Sequence, residues 1–219
     1  MFVSYVKIMF DMDGTLLHSR PAILKSLRLM MAAMNLPPRD DDYLNNMVGP
    51  PFSLGMPKYL GLTGEDMKKA IAIYGEYARE IMQDTNLLAP FPGILDMLRD
   101  LYEAGAYLGI VTSKSHKPAL EHIARFGFAP YISHLQTADD AGNGEKTELL
   151  QRTCREIGAD GLIMVGDRFY DLNAAHACGV QSVGVLYGYA SAEEIFGCKP
   201  TYTADTVAGL RALLLNMLL

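Results

Sequence analysis

The sequence predicts an α/β fold, a parallel sheet interrupted after its first strand by a helical insertion. Three observations predict it. Short runs rich in β-branched and aromatic residues alternate with helical patterns over most of the 219 residues. The stretch from roughly residue 17 to residue 88 breaks that rhythm and carries no convincing strand. Three of the strand patterns end in polar residues, Asp11, Thr112 and Asp167.

The elements follow in order. Residues 3–10 form an apolar strand closed at once by an acidic turn. Residues 20–34 are a helix of good formers, and Pro37-Pro38 and Gly49-Pro50-Pro51 then punctuate the chain. Thr63 and Asp66 have the spacing of a capping box, which predicts a long helix to about Met82. A helix over 92–104 opens on a proline suited to a first turn and closes at Gly105. The strand 106–112 follows. A helix over 118–126 ends at Gly127, and a strand over 131–136 comes next. The helix 146–157 ends at Gly158, the strand 161–167 runs into Asp167, and the helix 172–178 ends at Gly179. A strand over 182–186, a short one at Tyr202 and a helix from about Thr206 complete the chain. The final LLLNMLL is too short to span a bilayer and reads as the buried face of that helix.

Composition narrows the partners. Half of the residues are apolar, enough for one core with a modest insertion. A net charge of −6 with no basic run argues against nucleic acid. Cys154, Cys178 and Cys198 are widely spaced and form no CxxC pair, so reduced thiols in a cytoplasmic protein are expected. The N-terminal residues lack a secretory pattern, and no membrane partner is expected. The scattered histidines have no zinc spacing.

The stretch FDMDGTLLHS raises the chemical question. Asp11 and Asp13 stand two residues apart at the end of a buried strand, an arrangement that is costly without a compensating cation or proton. Open parallel sheets bind ligands beyond the carboxyl ends of their strands. There Asp11, Asp13 and Asp167 make a hard, oxygen-rich site suited to Mg²⁺. Thr112 and Ser113 can donate hydrogen bonds to a phosphate, and Lys146 can reach the crevice as a point charge. An aspartate can itself be a nucleophile, with a second carboxylate as general acid and base.

DMDGTL, VTSK, Lys146 and GDRFYD, in that order, resemble the haloacid dehalogenase-like superfamily of phosphohydrolases. CGVQSVGVLYG and the helical insertion make the chain most similar to the phosphoglycolate-phosphatase-like branch. The resemblance implies a Rossmann-like core over 1–16 and 89–219 and a helical cap over 17–88. It implies a Mg²⁺-dependent phosphatase that hydrolyses a small phosphomonoester through an aspartyl-phosphate. Asp11 would be the nucleophile and a magnesium ligand. Asp13 would be the general acid and base and would lend its carbonyl to the metal. Thr112 and Ser113 would hold the phosphoryl group, and Lys146 would neutralise it, with Lys114 as its rival. Asp167 would bind magnesium, and Asp171 would support that site or bind through water. His18 and Arg20, just past the acidic loop, stand as substrate-binding candidates beside a hinge role. A phosphotransferase or mutase, a 5'-nucleotidase and a pyrophosphatase remain alternatives. The expected partner is a small phosphorylated metabolite, and the expected state a monomer or homodimer.

Overall fold

The computed structural model describes residues 6–142 and 144–219. The first strand, β1, is Lys7–Phe10; residues 3–5 of the strand expected there lie outside the described residues. Its alternation sends Ile8 and Phe10 into one apolar cluster and Met9 into another on the opposite face of the sheet. After β1 the chain forms β2 (Leu17–His18), α1 (Arg20–Ala33), α2 (Asp41–Asn45) and α3 (Phe52–Gly55). A π-type turn at Met56–Leu60 leads into the long α4 (Gly64–Ile81) and then β3 (Ala89–Pro90). Next come α5 (Ile94–Glu103), β4 (Tyr107–Val111), α6 (His116–Arg125) and β5 (His134–Gln136). The chain closes with α7 (Lys146–Ile157), β6 (Leu162–Gly166), α8 (Phe169–Cys178), β7 (Gln181–Val185), α9 (Ala192–Gly197), β8 (Tyr202–Ala204) and α10 (Val207–Asn216).

Six strands form one parallel sheet in the order β5-β4-β1-β6-β7-β8. The chain builds outward from β1 to β4 and β5, then crosses back to place β6 on the other side of β1. The crevice at that reversal lies beyond the carboxyl ends of β1, β4 and β6. Side chains of α5, α6 and α10, such as Leu98, Ile123 and Leu210, share the cluster of Ile8 and Phe10. Leu149, Leu150 and Ala174, from α7 and α8, cover Met9 on the opposite face.

The helical insert is where the sequence reading needs correction. Its two joints pair with each other, Leu17 against Pro90 and His18 against Ala89, in an antiparallel two-residue ribbon that no strand pattern announced. Thr63 precedes α4, but its side chain makes no cap hydrogen bond, so the expected capping box does not form. Elsewhere α5 begins two residues later than Pro92, because Gly93 sits at φ 89, outside the helical region. The strand expected over 131–136 shortens to His134–Gln136, since pairing with β4 starts only at Gly109 against His134. The helix α9 was not foreseen; Ser191 starts it by accepting from Glu194 N. Among the described residues no helix is long and apolar enough to cross a membrane.

Candidate active site

The carboxylates of Asp11, Asp167 and Asp171 meet at the reversal point of the sheet. Asp11 follows β1, Asp167 follows β6, and Asp171 lies in the first turn of α8. One oxygen from each lies within 4.8 Å of the others, and all three residues are buried. Glycines make the close approach possible. A Cβ on Gly14 would lie 2.2 Å from Asp167 Oδ2, and one on Gly188 would lie 2.2 Å from Asp167 Cβ. A Cβ on Gly166 would come 2.3 Å from Asp171 Cβ. Gly14 also takes φ +94, where side chains are strained.

One ammonium answers two of the three acids. Lys146 opens α7 and is buried. Its Nζ contacts Asp11 Oδ1, donates to Val111 O at 2.8 Å and lies 3.0 Å from Asp171 Oδ1. Burial works against its charge, but Asp11 and Asp171 outweigh that and lift its pKa. Burial pushes Asp11 up to about 7, against the pull of Lys146 and with a further push from Asp171. Burial, Asp11 and Asp171 together hold Asp167 well above the ordinary carboxylate range. Tyr189 N donates to Asp167 Oδ2 at 2.7 Å, while Asp167 Oδ1 is buried with no partner. Asp11 and Asp167 both resist ionisation, Asp11 despite Lys146 and Asp167 despite Arg168. An all-oxygen set with an unused lone pair fits a hard divalent cation.

Asp13 faces away from this cluster. Its Oδ2 pairs with Lys114 Nζ at 2.9 Å. Burial would raise its pKa, but Lys114 overrides burial and the net direction is down. The two lysines weighed against each other in the sequence are therefore both present, each on its own aspartate. Thr112 follows β4, and its Oγ1 accepts from Lys114 N at 3.2 Å, while Ser113 Oγ is buried without a partner. His122 of α6 lies behind Lys114; burial and that ammonium push it down to about 4, so the imidazole is neutral.

Some of these groups border a cleft of about 850 Å³ between the sheet and the insert, whereas Lys146, Asp167 and Asp171 do not line it. Asp11, Asp13, Thr112, Ser113 and Lys114 line its inner end. Met47, Phe52, Tyr74 and Met82 of the insert line its other side together with Arg79, and Phe52 meets Tyr74 edge-on at 4.6 Å. His18 and Arg20, candidates for substrate contact, do not line this cleft. They stand at the joint instead, with the His18 ring 5.5 Å from Phe91 and Arg20 N donating to the Tyr189 hydroxyl at 2.9 Å.

A family model described as haloacid dehalogenase-like hydrolase matches residues 8–185. The chain belongs to that family. This haloacid dehalogenase-like phosphatase is 31% identical to a 5'-nucleotidase of Pseudomonas aeruginosa over 96% of each chain. It is 27% identical to a phosphoglycolate phosphatase of Vibrio parahaemolyticus over 93% of each. It is also 32% identical to a tyrosine-protein kinase, PtkA, of Mycobacterium tuberculosis, over 93% of this chain and 70% of that one. A crystal structure of a predicted phosphatase from Clostridium acetobutylicum superposes with TM-score 0.88 at 28% identity, covering 97% of this chain and 99% of that one. Such differing names at such similar identities leave the substrate to the cleft.

Sequence reasoning missed several residues of the haloacid dehalogenase-like site. Arg168 Nη1 reaches from beside Asp167 into the insert, to Val48 O at 2.7 Å, and Glu194 braces its Nε at 2.9 Å. Tyr189 and Gly188 close on Asp167 from the loop after β7. Their signal was the YGY of CGVQSVGVLYGY, whose glycine between two tyrosines marks a close backbone approach.

Proposed function

We propose that the protein is a Mg²⁺-dependent phosphomonoesterase that works through an aspartyl-phosphate on Asp11. The observation that carries this reading is the pairing of Asp11 with Lys146 beside Asp167, whose Oδ1 is buried and unpartnered, at the floor of a cleft. Asp11, Asp167 and the Asp13 carbonyl would hold the cation, with Asp171 supporting Lys146 or binding through water. Magnesium, when bound, supplies charge neutralisation for the ionised carboxylates and the phosphate.

Asp11 attacks phosphorus, and Lys146 orients it and offsets its charge. Thr112 and Ser113 donate to the phosphoryl oxygens. Asp13 gives a proton to the leaving alkoxide and then takes one from the attacking water. Lys114 holds Asp13 ionised until a dianionic phosphate competes for the ammonium, which returns proton affinity to Asp13 as substrate binds. Residues 17–88 act as a cap that excludes bulk water.

The cleft supports a substrate with an apolar, planar body. Phosphoglycolate and pyrophosphate are small and wholly polar, and would leave the Phe52–Tyr74 wall without a contact. A nucleoside 5'-monophosphate uses both the anionic floor and the aromatic wall. The test is phosphate release over a panel of nucleoside monophosphates, sugar phosphates, phosphoglycolate and pyrophosphate, with Mg²⁺ and with a chelator. Nucleoside monophosphates lead the panel, and chelation stops release. Isomer formation without free phosphate would make the protein a mutase and overturn the hydrolytic reading.

A further inference from the structure

Tyr189 belongs to the core loop after β7, yet both of its ends serve other regions. Its main-chain N–H donates to Asp167 Oδ2 at 2.7 Å. Its hydroxyl accepts from Ser19 N at 2.7 Å and Arg20 N at 2.9 Å, and lies 3.3 Å from Leu17 O, to which it can donate. Those residues are the joint: Leu17 pairs with Pro90 in the ribbon, and Arg20 opens α1.

The first N–H groups of a helix need an acceptor from outside the helix. Ser19 occupies the capping position of α1, but its side chain makes no cap hydrogen bond. The acceptor comes instead from Tyr189, 170 residues further along the chain. Burial lifts the phenol's pKa above its ordinary value and keeps it protonated, so that it can donate to Leu17 O while accepting the two N–H groups. A third polar group of the residue also meets the insert, since Asn45 Nδ2 lies 3.5 Å from Tyr189 O.

The connection is short and stiff. Gly188 leaves no slack, because even a methyl there would lie 2.2 Å from Asp167 Cβ. One residue thus holds the Asp167 carboxylate through its main chain and the joint through its phenol oxygen.

We propose that Tyr189 is a positioning residue that couples Asp167 to the joint of the helical insert, so that cation binding at the floor sets the orientation of the cap. The proposal rests on the reading of Asp167 as a cation ligand. It differs from a purely structural role in one respect: the joint must respond to the cation through the phenol oxygen.

Tyr189→Phe removes that oxygen and keeps the ring and the main-chain N–H. The experiment measures amide hydrogen exchange at Ser19 and Arg20 in full-length wild type and variant, with and without Mg²⁺. Titration calorimetry with Mg²⁺ runs on both, and circular dichroism confirms that the variant folds. In the metal-free variant these two amides should exchange on the order of tenfold faster, the scale of a lost helix cap. In wild type Mg²⁺ should slow them further. In the variant that response should vanish even though calorimetry still shows Mg²⁺ binding. Unchanged exchange in the variant overturns the proposal, and so does a variant that keeps the Mg²⁺ response. A wild type whose joint ignores Mg²⁺ overturns it as well. Calorimetry then tells which reading failed: bound Mg²⁺ means the coupling alone is wrong, and no binding means the cation reading of Asp167 is wrong too.

Discussion

The floor of the cleft and its outer wall are built from opposite chemistries. At the floor, six charged side chains converge. Asp11 and Asp171 share Lys146, Asp13 has Lys114, and Asp167 has a main-chain N–H. The backbone closes on them through glycines that tolerate no added methyl. The insert packs on the core through apolar side chains, and Leu27, Met30, Leu44 and Met47 continue the same buried cluster as Ile8 and Phe10. Its polar ties to the core are few and local. Tyr189 holds the start of α1, Arg168 holds Val48 O, and Arg125 Nη2 holds Gln83 O at 2.8 Å. Apolar packing is non-directional and tolerates sliding, while a hydrogen-bonded ion cluster does not. The difference bears on where reaction and selectivity would reside under the proposed function: chemistry on the floor, and choice of substrate on a wall that a few contacts orient.

The strongest way to break this division is at the nucleophile. Asp11→Asn should lower kcat by on the order of 10⁴ or more on every substrate, because a carboxamide does not attack phosphorus. Thermal melting should show the variant folded. A loss confined to one substrate would move Asp11 from chemistry to selection.

Asp13 gives a graded test of the same floor. Asp13→Asn should cost roughly 10²–10⁴-fold on an alkyl phosphate. The loss should shrink on an aryl phosphate, whose leaving group needs less protonation. Steady-state rates on the two substrate types decide it, and equal losses would contradict the proton-transfer role.

Metal-free stability reads the electrostatic cost of the floor. Folded Asp11, raised to about 7, holds its proton more tightly than the unfolded chain does. Its contribution is complete below about pH 4, the unfolded value, and is lost as pH rises through about 7. Asp167 acts in the same direction. His122, held down to about 4, acts the opposite way: its contribution grows as pH rises from 4 and is complete above about 6.5. The net fall in metal-free stability should therefore be clearest from about pH 6.5 upward, where His122 no longer offsets it. Melting curves across that range check it. Saturating Mg²⁺ should abolish the fall, and Asp11→Asn should reduce it.

The smallest effect should come from the wall. Arg168→Met removes the guanidinium from Val48 O, next to the segment that carries Phe52. KM for the best nucleoside monophosphate should rise on the order of tenfold, the value of one charge-assisted hydrogen bond. KM for a small aryl phosphate should move less. Equal shifts for both substrates would mean that the wall does not select.

What could be read in advance follows the range of the forces involved. The helix α7 occupies the predicted residues, because its end signal is local: Gly158 sits at φ 81 directly after Ile157. Asp11, Thr112 and Asp167 were legible because parallel strands with apolar bodies deliver their polar last residues to one edge. His18 and Arg20 were harder to place. Their nearness to the acidic loop in sequence does not reveal the ribbon to β3, which turns them toward the joint. The roles of Arg168 and Tyr189 were invisible for the same reason, since their partners lie 120 and 170 residues away.

The sequence by itself determined the family, the α/β order of elements and the acids that gather at the strand ends. These follow from periodicity and from short motifs whose spacing is itself the chemistry. Only the tertiary structure decided which lysine meets which aspartate, how tightly glycine lets the backbone close on Asp167, and what caps α1. Each of those depends on where strands separated by a hundred residues or more end relative to one another. That placement is set by crossover and packing and leaves no local trace in the chain.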